Sequence, residues 1–300
     1  MKLGFIGIGQ MGKYCALNLL KNRGELHVND IDPEAVAFLI SHGAKKSDSN
    51  AELMSVCDIV FLCLPNGDIV EKVIFGEHGL AEGFEKGKII VDLTTADYQK
   101  TRETALRVEA LGVNFIDAPL SGMEARAKTG QLSVMCGGKK NVFDVVSTYL
   151  DDIGSSVLFL GEYGSGQLAK MINNVLYNIN MAALAEILPF AVKMGLAPEK
   201  VGTLVNAGTG RSYASEYFIP KILERDFVYG FTMDSAYKDM QSASVISAKM
   251  KIPTPVLHAA MTTYQMTLLE GWGQEYKGAM IKVYEKLLGV KFSKNVEMIS

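Results

Sequence analysis

The sequence predicts an α/β fold: an N-terminal doubly wound Rossmann domain followed by an all-α C-terminal domain, joined by a long helix. Three observations predict it. Short apolar runs alternate with helical patterns up to about residue 160. A glycine-rich turn, "GIGQMG", follows the first apolar run. After Gly161 only helical patterns occur. Near-continuous apolar strands alternating with helices call for a parallel sheet covered on both faces. The change of pattern places the domains at 1–162, dinucleotide-binding, and 163–300, helical, for substrate and oligomerisation.

The elements follow in order. "KLGFIG" is the first strand and 11–22 the first helix. "ELHVND" (25–30) is the second strand. The helix 33–42 opens with Asp32-Pro33, a cap residue and a proline suited to a first helical turn. "DIVFLCL" (58–64), "KIIVDL" (88–93), "NFIDAP" (114–119), "LSVMCGG" (132–138) and "SSVLFL" (155–160) continue the sheet, the last two open to a different direction. Helical patterns then run at about 166–194, 198–206, 213–224, 234–250, 255–270 and 276–288. No repeat or low-complexity tract interrupts them.

Composition narrows the function. Three hundred residues suggest two domains. The net charge of −3, with no Lys/Arg run, speaks against nucleic acid and anionic membrane as partners. No secretory leader or membrane span is read, so the expected location is cytoplasmic. Cys15, Cys57, Cys63 and Cys136 form no C-x-x-C pair and read as reduced, buried thiols. The four histidines have no metal-ligand spacing, so no metal is expected.

Gly7, Gly9 and Gly12 have G-x-G-x-x-G spacing, with Gln10 and Met11 between them. Glycine is 29 of 300 residues, so spacing alone is weak, and "GSGQLA" (164–169) matches a looser form. Context separates them: only the first lies between a strand and a helix and precedes a second strand, which ends at Asp30. In that setting Gly7 permits the tight turn, Gly9 the approach of a pyrophosphate, and Gly12 close helix–strand packing. The helix start attracts the anion. Asp30 would accept from a ribose 2′-hydroxyl and repel a 2′-phosphate, so NAD(H) is favoured over NADP(H). Leu64, Pro65, Asn66 and Thr95 follow strands whose carboxyl ends border the ligand crevice; as isolated residues they also suit ordinary turns.

The long helix opening at "GSGQLAKMINN" is apolar on most of its circumference, which predicts burial. Lys170, Asn173, Asn174 and Tyr177 share one stripe of it. Two readings stay open: a cleft wall carrying chemistry, or a lysine reaching a surface groove.

Four blocks in order, "GFIGIGQMGKYCALNLL" (4–20), "DAPLSGMEARAKTGQL" (117–132), "GSGQLAKMINN" (164–174) and "MDSAYKDM" (233–240), span nearly the whole chain. With them the sequence resembles the β-hydroxyacid dehydrogenases, the 3-hydroxyisobutyrate dehydrogenase group. The resemblance implies a Rossmann domain and a helical domain with the active site between them. It implies catalysis by Lys170 with Asn174 beside it, binding of the substrate acid by Ser121 and Gly122, and Lys238 and Thr95 close to the cofactor. The implied reaction moves a hydride between NAD(H) and a short 3- or 4-hydroxy acid or its semialdehyde. Lys170 takes or returns the hydroxyl proton, its pKa lowered by partial burial.

The chain departs from the family pattern at Met123, usually glycine, at Ala96-Asp97 after Thr94-Thr95, and at Tyr276, where an acid is expected. Met123 is expected to line the substrate pocket. "GTGRSYA" (208–214) resembles the 2-(hydroxymethyl)glutarate dehydrogenase and semialdehyde reductase branch. There Arg211 either clamps a second acid group or is a solvated residue at a helix start. Two other functions compete: oxidative decarboxylation of a sugar acid, as in 6-phosphogluconate dehydrogenase, and a non-catalytic dinucleotide-binding scaffold. The expected partners are a small carboxylate substrate and further copies of the chain, as homodimer or homotetramer.

Overall fold

The computed structural model describes residues 1–228 and 231–294. The chain forms two compact units, Met1–Lys170 and a second from Met171 onward. The first unit carries nine strands: β1 (Leu3–Ile6), β2 (His27–Asn29), β3 (Lys45–Lys46), β4 (Ile59–Leu62), β5 (Ile89–Asp92), β6 (Asn114–Asp117), β7 (Leu120–Ser121), β8 (Leu132–Gly138) and β9 (Gly154–Gly161). Its helices are α1 (Gly12–Arg23), α2 (Pro33–Ser41), α3 (Asn50–Val56), α4 (Gly67–Phe75), α5 (Tyr98–Ala110), α6 (Met123–Lys128) and α7 (Lys140–Leu150).

The strand order is β3-β2-β1-β4-β5-β6-β8-β7, with β9 against β8. From β3 to β6 all neighbours are parallel. β8 runs antiparallel to β6 and β7, and β9 runs parallel to β8. The two late strands therefore do reverse direction. Successive residues point to opposite faces of a strand, and the cores obey this. Phe5, Phe61 and Val91 enter one cluster, while Ile6, Val60, Leu62 and Ile90 enter another. A sheet buried on both faces needs apolar residues at every position, which is why the strands read as unbroken runs.

The helix α8 (Ser165–Lys193) begins in the first unit and continues into the second. The second unit adds α9 (Pro198–Ala207), α10 (Tyr213–Leu223), α11 (Met233–Lys249), α12 (Pro255–Leu269) and α13 (Ile281–Leu288). Met181, Ala185 and Leu188 of α8 pack with Phe218, Met233, Met240 and Tyr264 in one core. Tyr276, standing where an acid was expected, is buried there against Tyr217 and Phe218.

The expectation of a helix buried all round is corrected. Ile172, Leu176, Ile187, Phe190 and Met194 of α8 and its C-terminal extension are exposed. Their spacing, with Asn180 and Ala183 completing it, is that of a single helical seam. Apolar residues on two sides of one helix look alike in sequence, whether a core covers them or nothing in the same chain does. By length and composition α8 is also long and apolar enough to cross a membrane. Its packed side and its run of asparagines are those of a core helix.

Candidate active site

The order of the sheet reverses between β1 and β4, the switch point at which open α/β sheets bind ligands beyond their carboxyl ends. "GIGQMG" lies there. Gly7 has φ of 94°, and a Cβ on it would stand 2.3 Å from the Cys63 carbonyl oxygen. A Cβ on Gly12 would stand 1.8 Å from the carbonyl oxygen of Gly7. Both glycines are thus demanded by packing. Gly9 differs: a Cβ there meets nothing within 4 Å, so its absence leaves open space above the loop. The first turn of α1 has no acidic residue and no side-chain cap. A helix start left in this state suits a pyrophosphate.

Asp30 accepts from the Ile8 N–H at 2.5 Å and the Asp32 N–H at 2.8 Å. The carboxylate therefore sits against the glycine loop. Each oxygen keeps a second lone pair for a ribose hydroxyl. Beside it Ile31 is fully exposed. These residues fit a dinucleotide.

Leu64, Pro65 and Asn66 leave β4. The Leu64 N–H donates to Thr94 Oγ1 at 3.0 Å, and Asn66 caps α4 by accepting from the Ile69 N–H at 3.0 Å. Asn66 thus has a local structural duty. Thr95 is exposed after β5, between Thr94, which is buried, and Ala96.

Ser121 ends β7 and Gly122 has φ of 140°. Met123 opens α6 with φ of 62°, 38 % exposed. Met123 thus holds a left-handed backbone conformation against its own preference. The neighbouring Glu124 accepts from Gln10 Nε2 at 2.8 Å and from the Tyr14 hydroxyl at 3.2 Å. Lys128 first, and then Gln10, hold its carboxyl well below the usual range. Glu124 therefore links the glycine loop to the segment following Ser121-Gly122.

Lys170 is partly buried, five residues into α8. Asn174, one turn on, donates to Asp239 Oδ2 of α11 at 2.8 Å. Asp239 was missed in the sequence, although the "MDSAYKDM" block contains it. Lys238 is exposed on α11. Tyr177 packs against Tyr213 and Phe218. Arg211 is exposed, with Glu216 Oε1 3.7 Å from its Nε. The structure brings Gly7, Leu64 and Thr94 together in the first unit, and Asn174 and Asp239 in the second. Among the described residues no His/Cys/Asp/Glu group is arranged to hold a metal ion.

Residues 2–161 match the family model described as the NAD binding domain of 6-phosphogluconate dehydrogenase. Residues 164–284 match the one described as NAD-binding of NADP-dependent 3-hydroxyisobutyrate dehydrogenase. The chain belongs to the β-hydroxyacid dehydrogenase family. It is 36% identical over 294 residues to 2-(hydroxymethyl)glutarate dehydrogenase of Eubacterium barkeri, covering 98% of each chain. It is 32% identical to 2-hydroxy-3-oxopropionate reductase of Escherichia coli, covering 98% of this chain and 100% of that one. The crystal structure of 3-hydroxyisobutyrate dehydrogenase from Salmonella typhimurium superposes with a TM-score of 0.84 at 26% identity, over 94% of this chain and 99% of that one. As a β-hydroxyacid dehydrogenase the chain is an NAD(P)-dependent oxidoreductase acting on CH–OH groups.

Proposed function

We propose that the enzyme interconverts a short 3- or 4-hydroxy acid and its semialdehyde, prefers NAD(H), and uses Lys170 as its general acid–base. The observation that carries the reading is the placement of α8. Its first turn is bonded to the backbone at the end of β5 through Gln167, and Lys170 follows three residues later. An ammonium group is thereby held close to the carboxyl end of the sheet, where the dinucleotide belongs.

When bound, the nicotinamide supplies or accepts the hydride. The residues of the chain do the rest. Lys170 Nζ removes the proton from the substrate hydroxyl in oxidation and returns it to the carbonyl oxygen in reduction. Asn174, oriented by Asp239, donates to the substrate oxygen or holds the lysine. Ser121 and the backbone around Gly122 receive the substrate carboxylate as a small anion nest. Asp30 accepts from the adenosine ribose and disfavours a 2′-phosphate. Thr95, Leu64 and Pro65 flank the nicotinamide side, and Lys238 is carried over from the family resemblance alone.

The test is a panel: 3-hydroxyisobutyrate and 2-(hydroxymethyl)glutarate with NAD+, and 2-hydroxy-3-oxopropionate with NADH, followed at the nicotinamide absorbance. Lys170→Ala should lower kcat by ~10²–10⁴-fold, the usual contribution of a positioned acid–base group, without weakening NADH binding. A variant keeping a tenth of the wild-type rate would move the proton chemistry elsewhere. Carbon dioxide among the products would favour the decarboxylating alternative.

The exposed seam Ile172–Leu176–Ile187–Phe190 supports assembly as a homodimer or homotetramer. Sedimentation as a monomer at micromolar concentration would refute that assembly.

A further inference from the structure

The start of α8 is seated on the sheet with little freedom. Asp117, at the end of β6 and fully buried, accepts from the Gly164 N–H at 2.7 Å and the Gln167 N–H at 3.1 Å. Those are helix-start donors, and a carboxylate is their strongest natural partner. Three glycines permit the contact. A Cβ on Gly166 would stand 2.2 Å from the Met135 carbonyl oxygen and 2.8 Å from Asp117 Oδ2. One on Gly137 would stand 2.7 Å from Asp117 Oδ1, and one on Gly164 2.8 Å from Arg102 Cγ.

Gln167 then completes the joint. It is 2 % exposed. Its Nε2 donates to the Thr94 carbonyl at 2.6 Å, and its Oε1 accepts from the Ala96 N–H at 3.0 Å. One side-chain amide thus brackets the backbone on both sides of Thr95, much as a neighbouring strand would. Thr94 is itself fixed from the other side: its N–H donates to Asp92 Oδ1 and its Oγ1 accepts from the Leu64 N–H, each at 3.0 Å. A continuous hydrogen-bonded path therefore runs from Leu64 through Thr94 and Gln167 to the turn of α8 that carries Lys170.

We infer that Gln167 is a positioning residue of the reaction: its two hydrogen bonds across Thr95 set where Lys170 stands relative to the end of β5. The inference rests on the assignment of Lys170 as acid–base made above. A purely structural glutamine would hold the helix and nothing more; this one joins it to the segment expected at the nicotinamide. A proton-transfer group needs heavy-atom approach of about 2.6–3.2 Å. Misplacement by about 1 Å costs about a hundredfold in rate.

Gln167→Met keeps length and volume and removes both hydrogen bonds. With the most active compound of the panel, we expect kcat to fall about ten- to a hundredfold. KM, and the Kd for NADH measured by fluorescence, should stay within about threefold, an effect confined to the chemical step. The primary isotope effect, with deuterium on the carbinol carbon for an oxidation or on the transferred C4 position of NADH for a reduction, should rise as that step becomes rate-limiting. If the methionine variant does not fold, Gln167→Asn, too short to reach both backbone groups, is measured instead with the same expectation. A folded variant with kcat within threefold of wild type overturns the inference. So does a loss of kcat matched by an equal loss of NADH affinity, which would make Gln167 a support of the cofactor site alone. Lys170→Ala, assayed in parallel, separates the two readings: near-normal activity there removes the acid–base assignment, whatever Gln167 does.

Discussion

Asp92 ends β5 with its side chain 1 % exposed, and it stands in register with Asp117 on β6. Burial pushes its pKa from 3.8 up to about 7. The hydroxyl and N–H of Thr94 both bond the carboxylate and draw the value back, and the charge of Asp117 adds to the rise. The folded state thus holds a proton that the unfolded chain has released. Between pH 4 and 7 the native state binds more protons than the unfolded one, so stability falls as pH rises and levels off above 7. A rise of about three units corresponds to a ceiling of about 4 kcal/mol, at 1.36 kcal/mol per unit. Asp92→Asn keeps an oxygen for the Thr94 N–H and cannot ionise. We expect urea unfolding at pH 5, 6, 7 and 8 to show the variant gaining on wild type by up to about 1.4 kcal/mol per unit below pH 7, less per unit as pH 7 is approached, and little beyond it. The cost of accommodating the new amide N–H is independent of pH, so it shifts the difference curve without tilting it. A difference that stays flat from pH 5 to 8 would refute the reasoning and show Asp92 ionised in the fold throughout that range.

Two further substitutions test the cofactor and substrate ends of the site. Asp30→Ala removes an acceptor for the ribose and the charge that opposes a 2′-phosphate. Its Kd for NADH should rise by ~10–100-fold, the equivalent of ~1.5–3 kcal/mol for a charged hydrogen bond, and the gap to NADPH should narrow; better efficiency with NADPH in the unmutated enzyme would reverse the assignment. Met123→Gly relieves ~1–2 kcal/mol of left-handed backbone cost, while glycine returns ~0.5–1 kcal/mol through chain entropy. Thermal stability should therefore change little, whereas the ranking of acids in the panel should shift by ~1–3 kcal/mol of discrimination. An unchanged ranking would leave Met123 with no role in selection.

The legible parts of the molecule were those whose physics is local. A two-sided parallel sheet writes itself as unbroken apolar runs, and "ELHVND" followed by "DP" shows both the strand, which ends at Asn29 just before Asp30, and the next helix start. β3, β7 and α6 are two, two and six residues long, too short to carry a period. The second glycine pair, Gly164 and Gly166, matched a dinucleotide pattern and was set aside as such, yet both glycines are required by contacts with Arg102, Met135 and Asp117. Those partners lie 31–62 positions away in sequence, and spacing rules do not see them. Asp117 and Gln167 were invisible for the same reason: an Asp ending a strand and a Gln in a helix are ordinary until the fold brings them together. Asp239 lay inside a recognised block and gained a role only through Asn174.

The thiols have a practical consequence. Burial pushes Cys57, Cys63 and Cys136 up to about 12 and raises Cys15 well above its ordinary value. At neutral pH none is a thiolate, and the thiolate is the form that alkylating agents and peroxide attack. Cys63 lies directly beneath the glycine loop, yet it offers no nucleophile to a reagent bound there. Cys15, Cys57 and Cys136 are buried, so their labelling by maleimide times the opening of the fold, whereas Cys63 is half-buried and is protected by its protonated state alone.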